Sequence, residues 1–351
     1  MNYIGSKLKL IPFIEKSILS IVDDNCEVFC DLFAGTGIVG ANFKKLGYKI
    51  ISNDLQYYSY VLNKQLIDNH KELEFCKLEE ELPELKKVSK FERKILVCKY
   101  LSNLKEVKGF IYKNYSPSKN SERMYLTSRN AQKCDAIRKK IESWKNLNLI
   151  NYNEYYFLLA SLIKSVDKHA NVLSVYGAYL KYFKNIALKN LIIEPCELIK
   201  NDKSHKVYNQ DANKLIKMIS SDILYLDPPY NSRQYATNYH LLETIAKYDN
   251  PKIHGKTGLR EYKEQKSLYC LKTFATETLK DLIKNANTKY IFLSYSNEGI
   301  ISKDDIKNIF ENKGEYGCFE IKHNRYKSDS NRTYKANHTI EYLHYCKCNL
   351  A

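Results

Sequence analysis

A doubly wound α/β fold with a mostly parallel sheet is predicted by three observations. Short apolar runs at 27–33 (EVFCDLF), 48–54 (YKIISND), 222–227 (DILYLD) and 289–295 (KYIFLSY) read as buried strands. Helical patterning follows the first two, which is the β-α-β-α rhythm of a parallel sheet. A glycine-rich turn joins the first strand to the first helix, where such sheets bind their ligands.

The elements follow in order. The first strand runs into Ala34-Gly35-Thr36-Gly37 and a helix through Leu46. The second strand ends in Asp54, and a helical stretch runs from Gln56 to near Asn69. Between residues 90 and 190 the periodicity turns mostly helical and rich in Lys and Tyr. The β/α rhythm returns at 207–211 (VYNQD), and strand-like segments near 315–322 and 339–347 close the chain as an antiparallel pair. The simplest organisation is one α/β domain made of residues 1–75 and 205–351, split by a helical, basic insertion at 76–204.

Composition narrows the class. The 351 residues are 44% hydrophobic and carry 56 Lys and Arg against 40 Asp and Glu, a net charge of +16. That is a folded globular chain with a possible taste for nucleic acid, although 48 of the basic residues are Lys and only eight are Arg. The surplus is partly localised: residues 101–145 hold eleven basic against four acidic residues, and 321–347 hold six against two. The longest apolar stretch, near Tyr155 to Ile163, falls far below the roughly 18 residues of a membrane span. The N-terminus lacks signal-peptide anatomy, so a cytoplasmic protein is expected. The ten Cys form no pair of C-x-x-C knuckles. Reduced packing thiols and no metal site are expected, even though Cys346 and Cys348 share one face of a strand.

Gly35-Thr36-Gly37-Ile38-Val39-Gly40 matches G-x-G-x-x-G. Glycines let the backbone approach a ligand, and Asp54 on the next strand tip can accept both ribose hydroxyls. NAD, FAD and S-adenosylmethionine all carry an adenosine that fits, so the loop does not choose among them. Asp31, inside the first strand, either faces the same pocket or hydrogen-bonds the loop. The choice comes from Asp227-Pro228-Pro229-Tyr230, where a strand runs into a carboxylate, a rigid turn and an aromatic ring. Two prolines fix φ and remove two N–H donors. Asp227 and the Pro228 carbonyl can then each accept a hydrogen from an exocyclic amine while Tyr230 stacks on the base, a contact worth ~1–3 kcal/mol. This chemistry fits direct methylation of an amino nitrogen, and a base in a duplex must first be flipped out.

Together these motifs resemble the N6-adenine DNA methyltransferases of the Dam-like, D12 class, over nearly the whole chain. Tyr3-Ile4-Gly5-Ser6-Lys7 is similar to the family's motif ten, which implies Tyr3 and Lys7 at the cofactor, the lysine on its carboxylate. Phe33-Ala34-Gly35-Thr36-Gly37 resembles the cofactor loop. The resemblance implies Asp54 at the ribose, Asp211 near the cofactor adenine, and Asp227, Pro228, Pro229 and Tyr230 as the catalytic motif. Ser165 to Asn171 with Tyr176 to Lys181, and Asn324-Arg325-Tyr326 with Arg332, Tyr334, Glu341 and Tyr342, are similar to strings of restriction-modification methylases. The family implies a Rossmann-like fold, S-adenosylmethionine as cofactor, double-stranded DNA as substrate, a cognate restriction endonuclease as functional partner and a monomer acting on a short palindrome such as CATG. Expected DNA contacts are Arg123, Arg129, Lys133 and Lys181 in the insertion, Arg233 and Tyr235 in a mobile loop after the catalytic motif, and Arg325 and Arg332 near the end. An RNA adenine or cytosine-N4 methylase is the nearest alternative. A nicotinamide dehydrogenase would leave the proline motif unexplained.

Overall fold

The computed structural model describes residues 4–324 and 338–349, and the chain divides into two units. One consists of Gly5–Asn63, Asn201–Tyr235 and Glu264–Ala351 and contains the sheet. Its seven strands are β1 (Val28–Asp31), β2 (Lys49–Asn53), β3 (Lys206–Tyr208), β4 (Ser220–Leu226), β5 (Asn287–Ser296), β6 (Gly314–Asn324) and β7 (His338–Cys348), in the order β3-β2-β1-β4-β5-β7-β6. The strands from β3 to β5 run parallel, and β7 lies antiparallel between β5 and β6. Every strand predicted from the sequence is present. This is the α/β, Rossmann-like class expected.

Burial on both faces explains why the central strands are continuous apolar runs. On one face Leu32, Leu224, Leu226, Ile291 and Leu293 pack against Leu279, Leu282 and Ile283 of the helix Ala275–Asn285 and Phe310 of the helix Lys303–Glu311. On the other, Phe29 of β1 stacks on Phe43 of the helix Ile38–Lys45 with ring centroids 3.9 Å apart. Polar side chains pin both ends of the strands. Asp222 at the start of β4 accepts the N–H groups of Glu27 and Val28, each at 2.9 Å. At the opposite edge the Asn53 amide donates to the carbonyls of Leu32 (3.2 Å) and Gln210 (3.1 Å), joining the segments that follow β1 and β3. The strand order reverses between β1 and β4, and that reversal opens the crevice in which open α/β sheets bind ligands.

The other unit is chiefly Lys64–Lys200 and Ala236–Lys263. Its main helices are Lys90–Ser102, Ser128–Asn146, Tyr152–His169 and His240–Lys247. Capping boxes start two of them, Ser89 with Glu92 and Asn151 with Glu154, and Thr127 caps a third. The expected insertion, 76–204, differs from this unit in its boundaries. Residues 236–263, beyond the proline motif, pack with the helices because polar groups bind them there. The buried Arg138 guanidinium donates to the carbonyls of Ile245 (3.0 Å) and Ala246 (3.1 Å), and the Tyr248 hydroxyl donates to Asp135 at 2.6 Å. Contacts of this kind leave no period in the sequence. The tract after His169 is also less helical than expected. Asn171 organises it, donating to the carbonyls of Leu180 (3.1 Å) and Tyr182 (3.0 Å) and accepting from the Lys184 N–H at 3.0 Å. Among the described residues no helix is long and apolar enough to cross a membrane.

Candidate active site

The glycine loop leaves β1 and enters the helix Ile38–Lys45 at Gly37, whose φ of 78° and ψ of 12° are left-handed. Only glycine takes that conformation routinely. Asp54 holds the loop from the tip of β2: Oδ2 accepts the Gly35 N–H at 2.8 Å and Oδ1 the Gln56 N–H at 2.8 Å. A second brace comes from Asn63, which donates to the Gly35 carbonyl at 3.1 Å and accepts from the Ser52 hydroxyl at 2.7 Å. Nothing in the sequence singled Asn63 out, because one Asn on a helix has no pattern. Asp31 Oδ2 accepts the Gly40 N–H at 3.1 Å, while its Oδ1 is buried with no hydrogen-bond partner among the described residues. Burial pushes the Asp31 carboxyl up to about 8, Asp227 and Asp54 add to the rise, and the Gly40 N–H and Lys7 oppose it.

Asp227 follows β4 directly, so it emerges at the same sheet edge as the loop after β1. Lys7 meets it there with Nζ 2.8 Å from Oδ1. The ammonium is 5% exposed and the carboxylate 18%, so the pair offers its acceptor, not its cation, to a substrate. Burial pushes Asp227 above the ordinary carboxylate range, and Lys7 restrains the rise. For Lys7 burial acts downward, yet Asp227, Tyr230 and Glu341 outweigh it and raise its proton affinity. Lys7 Nζ lies 5.8 Å from the Tyr230 ring centroid, and that ring rests edge-on against Tyr295 at 5.8 Å. Pro228 is buried, and Pro229 and Tyr230 are half-buried. The assembly is a carboxylate with a fixed cation and an anchored aromatic ring. It can accept a hydrogen bond from an amine and hold a planar group against Tyr230.

A family model for D12 class N6 adenine-specific DNA methyltransferases matches residues 3–309. The chain belongs to that family. Its relatives include type II methyltransferase M.NlaIII of Neisseria lactamica, 47% identical over 348 residues and covered to 98% on both sides. Type II methyltransferase M.CviAII of Paramecium bursaria Chlorella virus 1 is 37% identical over 346 residues, 98% of this chain and 97% of that one. Type II methyltransferase M.FokI of Planomicrobium okeanokoites is 43% identical over 357 residues, all of this chain but 53% of the larger protein, of which the chain therefore spans about half.

The other expected site residues of the methyltransferase fall in different places. Phe33 is half-buried and packs edge-on against Tyr269 at 5.2 Å. Ala34 is buried and Thr36 half-buried in the loop. Asp211 is exposed and caps the short helix Ala212–Leu215 through the Lys214 N–H at 3.0 Å. Arg233 is exposed, and the loop around it is pinned rather than loose: Gln234 exchanges two hydrogen bonds with the Ser267 backbone, at 3.0 and 2.8 Å. The Tyr235 hydroxyl sits where a Cβ on Gly5 would come within 2.8 Å of it.

Two of the expected DNA contacts, and a third arginine of the same basic stretch, have structural work. Arg123 donates to the carbonyls of Asn114 (2.9 Å), Gly255 (2.8 Å) and Lys256 (3.0 Å) and so acts as a strut. Arg138, counted in the basic stretch, is buried, and Lys133 donates to the Leu104 carbonyl and lies 3.6 Å from Glu106. Arg129 and Lys181 are exposed, the former 3.4 Å from Glu106. Tyr3, Arg325 and Arg332 lie outside the described residues.

Proposed function

We propose that this DNA adenine methyltransferase takes its methyl group from S-adenosylmethionine, acts on an adenine flipped out of the duplex, and modifies DNA as a monomer in a type II restriction-modification system with a cognate endonuclease. The observation that carries the reading is the Lys7–Asp227–Tyr230 assembly beside the Gly35–Gly37 loop, at the point where the strand order reverses. The chemistry of the pocket fits this donor. Asp31 lies near Asp54 and Asp227, the Lys7 ammonium is already paired with Asp227, and Asp31 Oδ1 is buried with no hydrogen-bond partner among the described residues. A ligand bearing a sulfonium and an α-ammonium supplies the missing positive charge, with Asp31 suited to the ammonium and Asp54 to the ribose. When bound, the donor supplies an electrophilic methyl whose departure leaves a neutral thioether.

The chain's own residues do the rest. Asp227 and the Pro228 carbonyl accept the two N6 hydrogens, which draws the amine out of conjugation with the ring. Tyr230 stacks on the base and holds its plane. Asp227, half-buried and raised above the ordinary carboxylate range, takes the proton the amine sheds as it gains the methyl. The insertion and the exposed Arg129, Lys181 and Arg233 contact the DNA. The relatives' names support the restriction-modification setting, since M.NlaIII, M.FokI and M.CviAII are all type II methyltransferases.

Asp227→Ala tests the assignment. Calorimetry should show S-adenosylmethionine bound as in the unaltered enzyme, while tritium transfer to DNA is abolished. Undiminished transfer would sink the mechanism. Digestion of the labelled DNA should yield N6-methyladenine, and N4-methylcytosine would overturn the choice of base.

A further inference from the structure

Glu341 is buried, 8% exposed, and its Oε2 has no hydrogen-bond partner among the described residues. The sheet register brings it to the site. β7 pairs Glu341 with Ser296 at the C-terminal end of β5, and β5 pairs Phe292 with Tyr225 of β4. Paired residues share a face and alternate residues return to it. Asp31, Tyr225, Ser296 and Glu341 therefore lie on one face, and Asp227 follows two residues after Tyr225. Among the described residues, the charged and titratable groups around Glu341 are Lys7 from the N-terminal segment, Asp227, Tyr225 and Tyr230 from β4 and its continuation, and Glu298 after β5. Glu341 and Asp227 thus both draw on the Lys7 ammonium, which Asp31 also faces.

We propose that Glu341 is a positioning residue for methyl transfer, acting through Lys7. Lys7 alone on Asp227 would quench the basicity of that carboxylate and occupy an oxygen the substrate amine needs. Glu341 draws on the same ammonium from the β7 side, which keeps Lys7 from closing fully on Asp227 and leaves an Asp227 oxygen free for the substrate amine. β7 gains its position from its insertion between β5 and β6, so the last strand of the sheet delivers a group to the crevice between the first and fourth.

The proposal rests on Asp227 as the acceptor, and the experiment separates the two ideas. Glu341→Gln removes the charge and keeps the shape. It should lower kcat about tenfold and move the acid limb of the kcat profile to lower pH, since Lys7 then closes fully on Asp227 and holds its carboxyl down. The KM values for DNA and S-adenosylmethionine should stay within about twofold, as no substrate contact is removed. Glu341→Asp, which restores the charge, should return the acid limb toward its original position. A Gln variant with unchanged kcat and an unmoved limb overturns the proposal. So does an equal loss in both variants accompanied by lost cofactor binding, which marks a structural role. Transfer surviving in Asp227→Ala overturns the Asp227 reading instead.

Discussion

A carboxylate with one oxygen tied to the Gly40 N–H and the other without a partner among the described residues is poised to change its protonation when a cation arrives. Asp31 is that group, with burial holding it up at about 8 in the free enzyme. A cationic donor beside it favours the ionised form, so binding should expel a proton below pH 8. The affinity for S-adenosylmethionine should rise with pH, by up to about tenfold per unit, and level off above about 8. Calorimetry at pH 7 in buffers of different ionisation enthalpy checks this, and Asp31→Asn should abolish the dependence. The free enzyme shows the opposite sense. A folded value above the ordinary 3.8 contributes stability that is full below about 4 and is lost as pH rises to about 8, so Asp31→Asn should flatten the decline of Tm between about pH 4 and 8. Asn63 makes a similar point about what sequence shows. The motif Gly35-Thr36-Gly37 and Asp54 were legible because their residue types at those spacings have few other uses. Asn63 and Glu341 act through position alone, and a lone Asn or Glu is written into most helices and strands.

At the scale of elements, the strands were legible because parallel strands covered on both faces are apolar at nearly every residue, as in β4, where Ile223 to Leu226 are all buried. The order in which strands pair is set by contacts far apart in the chain, and so β7 could be read as a partner of β6 but not as a neighbour of β5. The β1–helix turn depends on Gly37, where any side chain meets the left-handed penalty of roughly 1–2 kcal/mol. Gly37→Ala should cost about that much stability by denaturant unfolding and weaken donor binding, because the loop must rearrange to relieve it. In the helical unit the comparable dependence is on Arg138. It links the helix Ser128–Asn146 to the carbonyls of Ile245 and Ala246 and pairs with Glu142 at 2.7 Å. Arg138→Met should cost about 2 kcal/mol, by leaving the buried carbonyls of Ile245 and Ala246 unpaired, while Glu142 keeps Lys145 and the Tyr155 hydroxyl. A loss below about 0.5 kcal/mol would show that residues 236–263 are held by their apolar contacts instead.

Over the whole molecule the net charge of +16 has to be divided into cations that hold the protein together and cations that meet DNA. A sequence count cannot make that division, since burial is invisible to it. Arg123 and Lys133 were read as DNA contacts and Arg138 only counted in the same basic stretch, and all three spend their donors on neighbouring carbonyls or carboxylates. Arg260 is likewise taken up by Asp249, with contacts at 3.0 and 2.6 Å. Lys181 and Arg233 are exposed. Counterion release makes the distinction measurable, because each phosphate contact adds about 0.9 to the slope of log K against log salt. Lys181→Ala and Arg233→Ala should each weaken binding to any duplex and reduce that slope by about one, with Tm unchanged. Arg123→Ala should do the reverse, lowering Tm while leaving the slope as it was. Fluorescence anisotropy between 50 and 200 mM salt, beside thermal melts of the same variants, separates the two groups. An Arg123→Ala protein with a reduced slope and an unchanged Tm would return that residue to the DNA surface, and it would mean that the three carbonyls it contacts are bound only until DNA displaces them.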